Sequence, residues 1–330
     1  MINASLQHIQ SLRTPSGLFR ASKADVSTGY NKSWIRDNVY TLLGLEAVSR
    51  IEDVVVNLQR HLDILIKHQD KIDWAIREKP QHRYQYIHAR YHPDTLEEFH
   101  EEWGNKQNDA IGALLWKIGD LERKGVRILR DDVDRMMLQK VVMYLVSIEY
   151  WQDPDNGMWE DNEEIHASSI GACVAGLEKV KGIVMVPQWL ITAGKEALWK
   201  LLPKESHTRK LDLALLSLIY PYNVVDKRVR DCILRNVEEH LVRERGVIRH
   251  IGDWYHNRDG EAEWTMGFAW LAIIYKQIGN TQKYQHYLAK TRSVMNSAGE
   301  LPELYYARSS EHNENTPLAW AQSLHIVAEV

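Results

Sequence analysis

Apolar residues recur along this chain at three- and four-residue spacing, and no run of alternating apolar and polar residues reads convincingly as a strand. The periodicity predicts about twelve helical segments, over 2–13, 37–51, 52–78, 108–122, 129–149, 166–180, 187–201, 209–218, 226–245, 263–278, 281–297 and 317–329. Two alternations run through this series. The first is in polarity. Segment 226–245 carries eleven charged residues among twenty, so it shows one face to water, whereas 264–275 carries none and 317–328 only a histidine. Helices apolar all round are buried on every side. The even-numbered segments lean to this type and the odd ones are amphipathic.

The second alternation is in loop length. Connections into an even segment are mostly long: Pro15–Arg36, Lys79–Gln107, Gln152–Ile165, Gly246–Ala262 and Gly299–Thr316, with the short Leu202–Thr208 as the exception. Connections out of an even segment are short, as at Lys124–Leu129 and Gly279-Asn280. Together the alternations predict an all-α fold, an (α/α)6 barrel or six-hairpin toroid, forming a single domain over 1–330. The inner helices run parallel, the outer ones return the chain, and the long loops gather on one rim. An irregular helical array or α-solenoid is the competing arrangement. No fixed-period repeat supports it. Long loops in compact domains are usually functional.

Composition narrows the function. The chain has 330 residues, 44% hydrophobic and 26% charged, with a net charge of −4 and no basic stripe. A nucleic-acid partner is not expected. The first residues lack the basic start and apolar run of a signal peptide, and no apolar run is long enough to span a bilayer. The expected location is the cytoplasm, with no membrane partner. Cys173 and Cys232 both fall in helical patterns and are expected as free thiols. Nothing in the sequence sets an oligomeric state. Twelve tryptophans against three phenylalanines suit sugar rings, because indole joins a flat apolar face to one donor, although most will be core.

The candidate chemistry lies on the long loops. Asp155-Asn156-Gly157-Met158-Trp159-Glu160 and Leu301-Pro302-Glu303-Leu304-Tyr305 each set a glutamate beside aromatic residues ahead of an apolar helix. Two carboxyl groups, one protonated and one ionised, are the minimum for hydrolysing a glycosidic bond. Asp153, Asp155, Asp161, Glu163 and Glu164 crowd Glu160, and this negative charge, with shielding by Trp159, is expected to raise its pKa. A hydrated acidic loop or a calcium site is the other reading of Asp153–Gly157, although the full EF-hand spacing is absent. Arg36-Asp37 can grip vicinal hydroxyls, or Asp37 can cap its helix while Arg36 pairs locally. Trp103 can be a platform for a pyranose, and Asp109 a helix cap. Arg249 is a candidate hydroxyl ligand or a surface ion pair. His88, His92 and His100 lie near Glu97, Glu98, Glu101 and Glu102, but without a metal-binding spacing they read as a solvated acidic helical turn.

These residues resemble glycoside hydrolase family 15, the glucoamylase family, and the related domain of the phosphorylase kinase alpha and beta subunits. Tyr30 to Asn38 is similar to the family's aromatic stretch ending W-x-R-D. Trp103-Gly104 with Gln107 and Asp109 is similar to its W-G-x-x-Q-x-D, and Gly157 to Glu160 to its G-[ILM]-W-E. Leu301-Pro302-Glu303 with Pro317-Leu318-Ala319-Trp320 is similar to its closing segment. Ala167 to Gly171 and Tyr220-Pro221 are nearer the phosphorylase kinase branch. The matches fall in the family's order over nearly the whole chain.

The resemblance implies an (α/α)6 barrel that hydrolyses α-glucosides from the non-reducing end with inversion. It assigns Glu160 as general acid and Glu303 as general base. Arg36, Asp37 and Arg249 would hold the terminal glucose, Trp103 and Trp159 would line the pocket, and Tyr30, Asp109 and Asp161 would complete the substrate contacts. No metal or organic cofactor is implied. Asp161 departs from many relatives, which leaves linkage preference open. The length leaves no room for an N-terminal β-sandwich or a starch-binding domain, so short soluble oligosaccharides are the expected substrate. A non-catalytic sugar-sensing or scaffold domain is the main rival; binding alone would not require both glutamates. An isomerase using His250 or His166 has less support, because neither has a supporting pattern.

Overall fold

The segments that are apolar all round fold as the inner wall of a helical toroid. The structure, a computed structural model of the chain, describes residues 1–101 and 103–330. Twelve α-helices are found among the described residues: α1 (Ile2–Ser11), α2 (Ile35–Ala47), α3 (Ile51–Lys67), α4 (Gln69–Glu78), α5 (Asn108–Arg123), α6 (Asp132–Ile148), α7 (Ala167–Val180), α8 (Gln188–Leu201), α9 (Lys227–His240), α10 (Met266–Gln277), α11 (Thr281–Ser293) and α12 (Ala319–Glu329). Helix α2 is buried at every position from Ile35 to Leu45, and α10 from Met266 to Tyr275. Outer α3 instead buries a stripe, Val54, Leu58, Leu62 and Leu65, at helical spacing.

Neighbour contacts close a ring. Helix α2 packs on α5, α5 on α7, α7 on a 3₁₀ segment Leu213–Leu218, that segment on α10, α10 on α12, and α12 back on α2. Outer helices α1, α3, α8, α9 and α11 each lie against this ring, and α6 packs on α3 and α4. The architecture is an (α/α)6 barrel, and its buried apolar cluster runs from Ile9 to Ala328. The tightest seam is between α5 and α7. A Cβ on Gly112 would stand 2.4 Å from the Ala172 carbonyl carbon, and one on Gly176 2.5 Å from the Gly112 carbonyl oxygen. Only glycine lets two inner helices approach this closely.

Three expectations need correction. The predicted helix 209–218 is not an α-helix: six residues form a 3₁₀ segment, capped by the Asp212 carboxylate on Ala214 N–H, and a turn at Tyr220-Pro221 follows closely. All six side chains are buried, so burial fills the fourth inner place without a full helix. The predicted helix 52–78 breaks at His68, whose Nε2 lies 2.9 Å from the Leu96 carbonyl oxygen in the neighbouring loop. Four strands also occur among the described residues, each of two residues: β1 (Ser33–Trp34) pairs antiparallel with β2 (Arg90–Tyr91), and β3 (Glu263–Trp264) with β4 (Leu304–Tyr305). Two residues are too few for a period-two pattern. These pairs clip the long loops together at the rim where the inner helices begin. Among the described residues no helix is long and apolar enough to cross a membrane, and both cysteines are free.

Candidate active site

The long loops converge on a cavity of about 230 Å³ at the N-terminal ends of the inner helices. Its wall is aromatic: Tyr30, Trp34, Trp103, Trp159, Tyr255, Trp264 and Trp320 all line it, with Arg36, Asp37, Arg90, Glu160 and Arg249 as the charged groups. Positive helix ends surround the pocket, which favours carboxylates there.

Arg36 and Asp37 sit in the first turn of α2, whose N-cap is Trp34. Asp37 therefore does not cap its helix, and its carboxylate faces the pocket. Arg36 Nη1 donates to Gln107 Oε1 (2.8 Å) and Asp109 Oδ2 (3.2 Å), and Nη2 to Glu160 Oε1 (3.3 Å). Burial opposes the guanidinium charge, but Asp109, Asp37 and Glu160 outweigh it and raise its pKa. Asp109 neither caps α5, where Gln107 holds the N-cap, nor lines the cavity. It lies behind Arg36 and holds it, so its assignment as a substrate contact is replaced by a positioning one.

Glu160 sits where the chain turns sharply, with φ of +63°, next to Gly157 at +62°. A left-handed glutamate is strained, and such strain clusters at functional sites. Its side chain is 23% exposed and lines the cavity. Burial pushes its carboxyl up to about 7; Arg36 opposes this, Asp37 adds to it, and Arg90 and the Trp34 indole oppose it. The rise was expected, and so was shielding from water, but the acids close by in sequence do not contribute as expected. The nearby acids are each tied elsewhere: Asp153 to Lys106, Asp155 to the Asn108 amide, Asp161 to Arg209, Glu163 to Arg83 and Glu164 to Thr208. Neither the hydrated acidic loop nor the calcium-loop reading fits this pinned segment. Asp155 is fully buried and accepts from Ser169 Oγ at 3.1 Å as well.

Glu303 is fully buried one layer behind the lining. The β3–β4 pair fixes it: Thr265 N–H donates to its carbonyl at 3.2 Å, and its own N–H to the Asn315 carbonyl at 3.0 Å. Side-chain amides of Asn313 and Asn315 (2.7 Å) donate to Oε2, while Oε1 has no hydrogen-bond partner. Burial raises the Glu303 pKa, against the lowering influence of Tyr30, Asn315, Asn313 and Arg249. The Tyr30 phenol is pushed well up in turn, by burial first and Glu303 second, although no contact between them has hydrogen-bond geometry.

Arg249 is no surface ion pair. It is 3% exposed, forked onto Asp253 at 2.7 and 2.6 Å, and set among the rings of Tyr255, Trp264 and Trp159 at 4.7, 5.0 and 5.6 Å. Trp159 donates from Nε1 to Asp212 Oδ1 at 2.7 Å. Trp103 stands edge-on to Trp34 and carries the Arg90 guanidinium 4.0 Å over its ring. Asp161 is outside the lining; it pairs with Arg209 (2.7 Å) and faces His250 (3.4 Å). The carboxylate expected to contact substrate is therefore already paired with protein.

Several residues were not legible as site residues. Arg90 comes from strand β2 and carried no motif. Trp264 looked like part of an apolar helix but is a strand residue in the wall. Asn313 and Asn315 hold the buried carboxylate. The nearby histidines form no acidic helical turn: Glu97, Glu98 and Glu101 pair with Lys67, Lys71 and Lys32. Glu102 lies outside the described residues. Among the described residues no group of His, Cys, Asp and Glu is arranged to hold a metal ion.

Comparison with known proteins agrees with this fold. A family model described as "Glycosyl hydrolases family 15" matches residues 1–330. A solved structure titled "Glycosidase Wild Type" superposes with a TM-score of 0.84 at 20% identity, covering 99% of this chain and 94% of that one. The glucoamylase from Saccharomycopsis fibuligera gives 0.69 at 14%, covering 98% and 92%. A probable phosphorylase b kinase regulatory subunit alpha of Caenorhabditis elegans is 23% identical over 89% of this chain. The chain spans 30% of that relative's length. A match to one family model over the whole chain, on a barrel shared with solved glycosidases, places this protein in glycosyl hydrolase family 15.

Proposed function

We propose that this chain is an inverting, exo-acting α-glucosidase that releases β-glucose from the non-reducing end of short soluble α-glucosides. The observation that carries the reading is the contrast between its two carboxyls. Glu160, with a pKa near 7, retains a proton to give and opens into the cavity. Glu303 is held by two amides on one oxygen, and its other oxygen is unpartnered. Buried polar atoms without partners are rare in native proteins. Here Glu303 Oε1, Arg36 Nε and the indole nitrogens of Trp264 and Trp320 are such atoms, all in or next to one pocket. A polyhydroxylated ring and a water molecule would satisfy them.

In the mechanism, Arg36, Asp37 and Arg249 hold hydroxyls of the terminal glucose against the tryptophan wall. Glu160 protonates the glycosidic oxygen as the bond to C1 breaks. Glu303 Oε1 accepts a proton from a water molecule that attacks C1 from the opposite face, which inverts the anomeric centre. The small cavity favours a single sugar ring, hence release from a chain end. The cytoplasm is the proposed location.

The rival reading, a non-catalytic sugar-sensing or scaffold domain, draws on the likeness to proteins named as regulatory subunits. One experiment separates them. Wild type is given a disaccharide and α-glucosyl fluoride, and the first product is followed by NMR. The enzyme reading expects β-glucose first. Glu160→Gln should nearly abolish disaccharide hydrolysis but spare much of the fluoride reaction, because fluoride leaves without a proton. Equal loss on both substrates removes Glu160 as the acid. No turnover of any α-glucoside by wild type leaves the non-catalytic reading.

A further inference from the structure

The opposite rim, where the inner helices end, holds a second cavity of about 610 Å³, more than twice the 230 Å³ of the first. Its size is typical of small-ligand sites. The rings of Trp116 and Tyr220 line it, and its polar lining includes Glu46, Asp120, Lys124 and Lys179.

These charges form an alternating chain. Glu46 accepts from Lys117 and from Lys124 (2.7 Å), and Asp120 accepts from Lys124 (2.7 Å) and Lys179 (2.6 Å). Lys117 is fully buried, so the chain is anchored in the protein. Every charged group here already faces an opposite one, and a charged ligand would have to break such pairs. A neutral ligand need not: its hydroxyls can donate to the carboxylates and accept from the ammonium groups. The aromatic rings supply apolar surface for the carbon skeleton.

Tyr222 also borders the cavity, and its ring meets Trp116 edge-on at 5.7 Å. Its hydroxyl is buried without a hydrogen-bond partner among the described residues; burial raises its pKa first and Asp109 next, while Tyr40 and Arg36 lower it. Asp109 is the group that holds Arg36.

We propose that the cavity at the C-terminal ends of the inner helices is a second binding site for a neutral polyhydroxylated ligand, a mono- or disaccharide. The proposal stands on this cavity alone and holds whether or not the first pocket is catalytic.

The test is protein-observed NMR of the ¹⁵N-labelled full chain, reading assigned indole N–H signals during titration with glucose. Trp116 reports the second cavity and Trp320 the first. The expected result is a saturable shift of Trp116 in wild type that persists in Arg36→Ala. Lys124→Trp, at a side chain 52% exposed, should fill the cavity and abolish the Trp116 shift; Gln277→Trp, on an exposed position of the same lining, does so independently if Lys124→Trp folds poorly. A fixed Trp116 signal overturns the proposal, as does a shift lost in Arg36→Ala or unchanged in both filling variants. A shift with inorganic phosphate and none with glucose overturns the ligand class. A moving Trp116 beside a fixed Trp320 supports the second site while removing the proposed function of the first.

Discussion

The two rims of this barrel handle buried carboxylates in opposite ways. At the C-terminal rim, Glu46 and Asp120 each sit between two lysines, and although burial works against the charge, the ammonium groups hold both pKa values below the ordinary range. At the N-terminal rim, Glu160 and Glu303 are buried with less compensation, and both are raised. The residue type is the same. What differs is whether cations were placed to cancel the desolvation cost. Where they were, the carboxylate is structural; where they were not, it can carry a proton. The long loops and the left-handed backbone of Glu160 also belong to the second rim, which is the pattern expected when strain is retained for function.

The comparison can be broken most severely at Glu303. Glu303→Gln keeps the shape and the Asn315 contact but cannot accept a proton, so kcat should fall by ~10²–10⁴ on disaccharide and fluoride alike, with substrate binding largely kept. Turnover close to wild type would remove the contrast between the rims.

A structural carboxylate should fail differently. Glu46→Gln leaves the buried Lys117 without its partner, at a cost of roughly 3 kcal/mol in unfolding free energy at neutral pH. The folded pKa of Glu46 is depressed, so this contribution is present above the ordinary value of 4.5 and lost as pH falls through the folded value. Denaturant melts should find the wild-type advantage large at pH 7 and shrinking in acid. A constant difference would show that the pair is not ionised.

Glu160→Gln should have the reverse sign. Its folded pKa, about 7, exceeds the ordinary 4.5, so the folded state binds more protons and wild type loses stability as pH rises between those values. The glutamine variant escapes that loss and should be more stable than wild type at pH 8 by on the order of 2 kcal/mol, with the two nearer at pH 4.5. A variant less stable at both pH values would assign Glu160 to the structural class.

The finest test is the pH profile. The proposed role of Glu160 as general acid needs its protonated form, so kcat should decline as pH rises through about 7. Arg90 lowers that pKa, so Arg90→Ala should move the alkaline limb upward, by up to about one unit. A downward shift would contradict the geometry.

Much of this fold was legible because its two repeating signals are local. All-round apolar helices such as 264–275 must be buried, and amphipathic ones such as 226–245 must face water; alternating them with long and short loops leaves few arrangements besides a barrel. The breaks were not legible. His68 interrupts a helix through a contact with Leu96, and the Leu213–Leu218 segment is too short to extend as an α-helix, neither of which appears in the spacing of apolar residues. The short strands leave no pattern at all.

For the site, the sequence by itself determined which loops carry the candidate residues and which two glutamates stand beside aromatic residues. Only the tertiary structure decided which partners each group meets. Asp109 and Arg36 lie far apart in the chain and meet in a salt bridge at 3.2 Å. Arg90 reaches the wall through a strand pairing, and Asn313 and Asn315 hold one oxygen of Glu303 while leaving the other unpartnered. The acids crowded around Glu160 in sequence turn away to partners of their own. Proximity along the chain sets composition, but a pKa depends on desolvation and on charges a few ångströms away. Those distances exist only once the helices have closed the ring.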